Sequence, residues 1–527
     1  MSGLADFQLA VACYRRGEFA TARRHCDAAL KRDPKNPNGL QLLAIIQLRQ
    51  GDAEASVETF ALLLRLAPNA PDALMNCALG LQKLNRLSEA LTYLDRAVKV
   101  RTNYAEAFAN RSSVLSALGR YPEALESADR ALALSPGSVN ALYNRANALR
   151  SMGRYQEALP AFGLVLKQLQ ASQEAIVGLD EAAIRVLIFE IELRTCDWSN
   201  YDATVSDLAS RLDRGGVIHP FSFCWWNRSA ADEARCAKTY AAHTWQAPQR
   251  PLPGCRDYGH ERLRLGYFSP DFREHPVASS FAEVIELHDR SRFEVCAISF
   301  GASDGSAMRA RLEKGFDRFY DVRTLGDRAL AEKIRQEEID IVVDLAGYTM
   351  NNRGNALAYR PAPVAVNFQA FGTGAPFLDY LISDRNCIPE QYDPLYREKI
   401  VRMPESCYKV NDGQESVADA TPSRASQGLP DQGFVFCSFC FSPKITPEIF
   451  DVWMRLLRSV ERSVLWLRSD DESTRANLRK EAEHRGVAAD LHAANAVVTK
   501  GHLTGLSTGS HRTASIGRFS DASAGFL

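Results

Sequence analysis

The chain has 527 residues, which at ~100–200 residues per domain is about three domains and excludes a single small module. Lys plus Arg number 63 against 64 for Asp plus Glu, so the net charge of -1 gives no global attraction to nucleic acid or an anionic membrane, and neither is expected as a partner. An apolar fraction of 46% with 24% charged residues is the balance of a folded protein.

The N-terminus runs directly into polar repeat sequence and does not read as a secretory signal. No apolar run approaches the ~18 residues of a membrane span. Twelve Cys are scattered without framework spacing, which fits reduced thiols and a cytoplasmic setting. The close pair Cys437 and Cys440 lies in a strand-like run, where residues three apart face opposite ways. No second pair completes a zinc set, so a structural role is expected for both.

From Phe7 to Ala175 the sequence superposes on itself five times at a period of 34 residues. Gly17, Gly51, Asn85, Gly119 and Gly153 share one register, and five positions later come Ala22, Ser56, Ala90, Ala124 and Ala158. Pro34, Pro68 and Pro136 stand where a helix must stop. Apolar residues recur between these marks at helical spacing, as in Ala124, Leu125, Ala128, Ala131 and Leu132. Each copy therefore reads as helix, tight turn, helix. The pattern resembles the tetratricopeptide repeat, which stacks into a solenoid with a concave surface. Asn76, Asn110 and Asn144 form a second register, again 34 apart, in the first helix of copies three to five. An amide offers donor and acceptor together, so these residues form either a ladder holding an acceptor peptide backbone or a helix-packing set.

The repeat register is lost from Glu174 to about Tyr258. Helical patterning continues over Ala182 to Arg194 and Ala230 to Trp245. Between them lies a loop with His219-Pro220-Phe221 and Trp225-Trp226, expected to pack between domains.

Strands then alternate with helices. Leu263 to Ser269, Phe293 to Phe300, Ile339 to Leu345 and Val364 to Phe368 read as strands, with helices over Val277 to Leu287 and Ala329 to Glu337. This is the pattern of a parallel sheet covered on both faces, where ligands sit beyond the carboxyl ends of strands. His275 follows the first strand and is either a titrating group or a structural loop histidine. Gly347-Tyr348-Thr349 follows the third. The Gly-rich loop Gln369 to Gly374, with Gly372 and Thr373, follows the fourth. A second alternating unit has a strand over Gly433 to Cys440, a helix over Glu448 to Leu457, a strand over Ser463 to Leu467 and a helix over Glu472 to Arg485. Lys444 just ahead of a helix start is either a phosphate ligand or a solvated surface lysine.

A repeat array joined to two such units resembles the SPINDLY-like protein O-GlcNAc transferases. The resemblance rests on Leu263-Arg264-Leu265-Gly266-Tyr267, Asp271-Phe272 with His275-Pro276, Gly347-Tyr348-Thr349, Arg360-Pro361-Ala362-Pro363, Asp379-Tyr380 and Ser463-Val464-Leu465-Trp466-Leu467. It implies an α + α/β chain, a tetratricopeptide α-solenoid followed by two Rossmann-like domains of GT-B type. The implied divisions are repeats over 7–175, a helical connector over 176–258, a first Rossmann-like domain over 259–410, a partial second one over 430–490 and an atypical tail over 491–527.

The resemblance implies N-acetylglucosamine transfer from UDP-GlcNAc to Ser or Thr of acceptor proteins, inverting, with no metal or other cofactor; the alternatives are a non-catalytic peptide-binding scaffold and a related protein glycosyltransferase using another nucleotide sugar. It implies His275 as general base or orienting group and Lys444 as the diphosphate contact. Gly347, Tyr348, Thr349, Gly372 and Thr373 are the implied donor contacts, and Asn76, Asn110 and Asn144 the implied acceptor contacts. The sequence departs from the family pattern at Cys440, Phe441 and Pro443, in a shorter loop at 369–374, and from about Ala493 onward. Gly501 to Leu527 holds 13 Gly, Ser or Thr in 27 residues without periodicity and reads as unrelated or frame-shifted sequence, leaving the second domain incomplete and its activity impaired.

Overall fold

A computed structural model describes residues 3–171, 181–226, 229–245, 248, 250–254, 257–349, 351–368, 371–407, 423–469, 471–488 and 496–500. The chain divides into two compact units. One holds residues 1–181 with 247–253 and 324–333; the other holds 182–246, 254–323 and 334–527.

The first unit is built from five helix pairs: α1 (Gly3–Arg15) with α2 (Phe19–Arg32), α3 (Pro37–Arg49) with α4 (Ala53–Leu66), α5 (Pro71–Lys83) with α6 (Leu87–Val100), α7 (Ala105–Ala117) with α8 (Tyr121–Leu134), and α9 (Val139–Ser151) with α10 (Tyr155–Ala171). All five turn residues of the 34-residue register have positive φ: Gly17, Gly51, Gly119 and Gly153 between 73° and 84°, and Asn85 at 55°. Glycine adopts that left-handed backbone without a Cβ clash, and asparagine is among the few residues that tolerate it. The small residues five positions on are fully buried in every copy. Ser56 fills its place as alanine would, and its hydroxyl donates to Ala44 O at 2.8 Å. The three prolines follow residues that have left the helical region, with ψ of 76–86°, at the ends of α2, α4 and α8, as the clash of a following proline with helical backbone favours.

The second unit opens with α11 (Glu181–Thr195), α12 (Tyr201–Asp213), α13 (Pro220–Phe223) and α14 (Ala230–Thr244). A seven-stranded sheet follows: β1 (Leu263–Ser269), β2 (Phe293–Ser299), β3 (Arg318–Asp321), β4 (Ile341–Asp344), β5 (Val364–Asn367), β6 (Tyr380–Ser383) and β7 (Lys399–Arg402). Its order is β3-β2-β1-β4-β5-β6-β7, and every pairing is parallel. The crossovers carry α15 (Pro276–Glu286), α16 (Ala307–Gly315), α17 (Asp327–Gln336) and α18 (Gly354–Leu357). A smaller parallel sheet, ordered β10-β9-β8, holds β8 (Val435–Ser438), β9 (Val464–Arg468) and β10 (Ala496–Lys500), with α19 (Pro447–Ser459) and α20 (Glu472–His484).

Two expectations change here. β10 pairs with β9 from Ala496 to Lys500, so the smaller sheet continues past the boundary drawn at 490. The β-branched run Val497-Val498-Thr499 is the signal, obscured by the Gly- and Ser-rich sequence after it; residues 501–527 lie outside the described ones. The connector is also no separate layer. Phe189, Trp198, Tyr201, Phe223 and Trp226 share one buried cluster with Phe450, Met454, Leu457, Leu465 and Leu478 of the smaller sheet and its helices. Trp198 meets Phe450 edge-on at 5.3 Å between centroids. The connector thus completes that sheet's core, and removing the Phe450 ring would cost about 3–5 kcal/mol.

Candidate active site

The order of the large sheet reverses between β1 and β4, and in such sheets the crevice forms beyond the carboxyl ends of the strands at that point. Five of its strands end in, or just before, a small polar residue that is buried: Ser269, Ser299, Asp344, Asn367 and Ser383. Ser269, Ser299, Asp344 and Asn367 brace the segments that follow through side-chain hydrogen bonds.

Three contacts hold the loop after β1. Gly301 lies so close beneath it that a Cβ there would stand 1.7 Å from Pro270 O. Arg309 Nη1 donates to Phe272 O at 3.2 Å, and Glu274 N donates to Asp304 Oδ2 at 2.8 Å. The loop ends at His275, the N-cap of α15, whose Nδ1 accepts the Val277 N–H at 3.2 Å. The half-buried ring has its pKa lowered, chiefly because burial disfavours the charged form; Asp271 opposes the shift and Arg273 adds to it. The imidazole is therefore neutral at neutral pH. With Nδ1 accepting, its proton sits on Nε2.

After β4, Asp344 accepts N–H groups from Ala346 at 2.9 Å and Gly347 at 3.1 Å, shaping the turn in which Gly347 has φ 51°. Burial pushes the Asp344 carboxyl up to about 6, against the pull of those two bonds. Thr349 is partly exposed. Tyr348 is not: its ring is fully buried, stacked on Trp245 at 4.7 Å, and its hydroxyl donates to Ala237 O and to Thr373 O. Thr373 is equally buried, donating from N and Oγ1 to Glu398 Oε1 at 2.7 and 2.6 Å. Tyr348 and Thr373 thus lie behind the loops, not on their ligand-facing surface, because their polar groups are already engaged inside the protein. Gly372 and Gly374 remain partly exposed, while 369 and 370 lie outside the described residues.

Asp344 and Glu398 emerge as site-building carboxylates that sequence reasoning passed over. A carboxylate closing the apolar run Ile341 to Val343 was the available signal for Asp344. Glu398 had none, since its partners are 24 and 25 residues away.

Lys444 ends a short 3-10 turn (Ser442–Lys444) beyond β8, two residues before Thr446, the N-cap of α19. Its side chain is exposed and makes no salt bridge among the described residues. The turn is anchored from below, since Ser442 Oγ donates to Arg194 O at 2.7 Å. Thr474 Oγ1 donates to the same carbonyl at 3.2 Å and Asn477 Nδ2 to Thr195 O at 2.9 Å, so side chains of the smaller domain cap the end of α11.

Lys444 and His275 belong to different sheets and do not touch. An aromatic chain connects the Lys444 turn with the loop after β5: Phe441 meets Trp225 at 5.8 Å, Trp225 meets Phe221 at 5.5 Å, and Phe221 meets Phe371 at 6.3 Å. A small open pocket beside Gly372, lined also by Lys238, Arg397 and Glu398, includes neither His275 nor Lys444. In the first unit, Asn76, Asn110 and Asn144 sit at matching positions of α5, α7 and α9, each half-buried. Asn144 Nδ2 donates to Ala109 O at 2.8 Å, and Asn110 Nδ2 approaches Met75 Sδ at 3.2 Å, so part of the ladder also joins neighbouring repeats.

Comparison with known proteins agrees with this architecture. Tetratricopeptide profiles match residues 76–139 and 110–174, and a Fis1 C-terminal tetratricopeptide profile matches 6–49. An Arabidopsis thaliana protein named as the probable UDP-N-acetylglucosamine–peptide N-acetylglucosaminyltransferase SEC is 36% identical over 246 residues, 45% of this chain and 25% of that protein. A Caenorhabditis elegans UDP-N-acetylglucosamine–peptide N-acetylglucosaminyltransferase is 24% identical over 420 residues, 55% of this chain and 36% of that protein. The chain thus matches only about a quarter to a third of the length of these relatives. The solved structure of a Thermobaculum terrenum O-GlcNAc transferase mutant superposes with a TM-score of 0.53 at 26% identity, covering 81% of this chain and 74% of that one. The fold is accordingly a tetratricopeptide solenoid followed by a GT-B-type glycosyltransferase region. The profile of glycosyl transferase family 41 matches 195–419 and 411–503, which takes in the His275 loop, the Lys444 turn, the connector from α12 onward and β10, and the chain belongs to that family.

Proposed function

We propose that the chain transfers N-acetylglucosamine from UDP-GlcNAc to Ser or Thr hydroxyls of acceptor proteins, with inversion and without a metal in the reaction. The observation that carries this reading is the family match across 195–503, which spans both the histidine loop of the large sheet and the lysine turn of the smaller one. In the transfer, the acceptor oxygen bonds to the anomeric carbon as the bond to the β-phosphate oxygen breaks. The electron pair leaves with UDP, and the hydroxyl proton passes to a base.

Lys444 and the positive dipole end of α19 suit the diphosphate, where they would offset the charge developing on the leaving group. Gly347, Thr349 and Gly372 are the loop positions assigned to the donor, with Tyr348 and Thr373 supporting them. His275 suits the acceptor side. With Nδ1 bonded to Val277 it offers Nε2–H and orients an oxygen; with its proton moved to Nδ1, facing Asp271, it offers a lone pair and acts as base. Asn76, Asn110 and Asn144 are assigned to the acceptor backbone.

Isothermal titration of the full chain with UDP-GlcNAc and with other nucleotide sugars tests the donor. Tightest binding of UDP-GlcNAc, weakened in Lys444→Ala, is expected. Preference for another sugar, or affinity untouched by Lys444→Ala, would contradict the assignment.

A further inference from the structure

Asp384 follows β6 directly, Cys387 lies three residues on, and Cys407 lies five residues past the end of β7. The parallel pairing of β6 with β7 brings the two strand exits together across 20 residues of sequence. Asp384 is 1% exposed and Cys407 5%, while Cys387 is partly exposed. One ligand atom from each of the three residues fits within a span of 4.8 Å.

We propose that Asp384, Cys387 and Cys407 form a binding site for a thiophilic divalent cation, zinc foremost, that fastens the loop after β6 to the exit of β7.

The spacing carries the argument. Tetrahedral zinc with Zn–S of ~2.3 Å and Zn–O of ~2.0–2.2 Å places two sulfurs ~3.8 Å apart and a sulfur and an oxygen ~3.5–3.7 Å apart. The Cys387 and Cys407 sulfurs are 3.8 Å apart, and Cys387 Sγ is 3.5 Å from Asp384 Oδ2. The carboxylate is already oriented as a ligand should be: Oδ1 accepts the N–H groups of Asn386 and Cys387, and Oδ2 accepts that of Cys407, each at 2.8 Å. Two thiolates and a carboxylate match the zinc preference and disfavour magnesium or calcium, which take oxygen ligands. The partial exposure of Cys387 leaves room for water as fourth ligand. The site lies at the edge of the sheet, two strands from the reversal point, so its role is to hold the loop and not to take part in glycosyl transfer.

The test uses the reduced, chelator-treated full chain titrated with Co²⁺. One Co²⁺ per chain is expected, with an intense thiolate-to-metal charge-transfer band and the visible bands of a four-coordinate site, displaced by one equivalent of Zn²⁺. Cys387→Ser and Cys407→Ser abolish the thiolate band, Asp384→Asn weakens affinity about 10–100-fold, and Cys437→Ser changes nothing. Failure of the wild-type chain to develop the band would overturn the site without reference to any variant. So would survival of the band in both serine variants, or a Cys387–Cys407 disulfide in the chain as purified, found by non-reducing peptide mapping.

Discussion

His275 Nδ1 stands 3.7 Å from Asp271 Oδ2, four residues earlier in the same loop. Val277 N–H holds that nitrogen as an acceptor, so the two contacts compete for one atom and select between two tautomers. His275→Ala is expected to lower kcat/KM for transfer about 10²–10⁴-fold. Asp271 favours the charged ring and partly offsets the lowering by burial. Asp271→Asn therefore lowers the His275 pKa further, and the acidic limb of the pH–rate profile moves to lower pH. A limb that does not move would show that His275 does not titrate in catalysis.

Lys444 is exposed and forms no salt bridge among the described residues, so its replacement should leave the fold intact. Lys444→Ala is expected to lower kcat about 10²–10³-fold, the cost of removing one stabilising donor, with the unfolding midpoint unchanged. Steady-state kinetics beside thermal unfolding checks both parts.

Gly301→Ala is a structural probe of the same site. The added Cβ meets Pro270 O, a backbone atom that moves only with the His275 loop. A loss of about 1–3 kcal/mol in stability is expected, together with a fall in kcat, measured by denaturant unfolding and transfer rate.

The repeats were legible because their geometry repeats. One register demanded a left-handed turn and another a small buried residue, and all five copies meet both. The His275 loop was legible because a strand of seven residues precedes it. β3 (RFYD) and β6 (YLIS) were not read, since they lack the two or more β-branched residues that mark β4 and β5, which are equally short; in β7 (KIVR) the two β-branched residues are enclosed by charges. Tyr348 and Thr373 looked like ligand contacts because a buried hydroxyl and an exposed one are identical in sequence. Only the partners Ala237 and Glu398 separate them. Glu398 and the approach of Cys387 to Cys407 depend on contacts 20 to 25 residues apart, which local pattern does not encode.

The asparagine register can be tested copy by copy. Asn76→Ala is the cleaner probe of acceptor binding, because Asn144 also bonds Ala109 O. Asn144→Ala should cost about 1 kcal/mol of stability as well as raise KM for a protein acceptor. Asn76→Ala should raise KM with little loss of stability. An unchanged KM in the Asn76, Asn110 and Asn144 triple variant would assign the register to helix packing.

His260 gives a stability signature independent of catalysis. Its Nδ1 lies 2.8 Å from Asp340 and its Nε2 3.1 Å from Glu338, and these partners, Asp340 foremost, raise its pKa. A raised pKa stabilises the fold fully below the unfolded value of ~6.5 and loses that contribution as pH rises through the folded value. His260→Gln should therefore destabilise more at pH ~6 than at pH ~9, by on the order of 0.5–1 kcal/mol, read from unfolding curves at the two pH values.

The most direct measurement is transfer itself. The full chain is incubated with UDP-GlcNAc labelled in the sugar and a Ser/Thr-containing protein acceptor, and O-linked label is counted beside released UDP. Matched appearance of both products is expected, lost in His275→Ala and Lys444→Ala while both variants remain folded. Absence of labelled acceptor from the folded wild-type chain, or transfer indifferent to both substitutions, would contradict the proposed function.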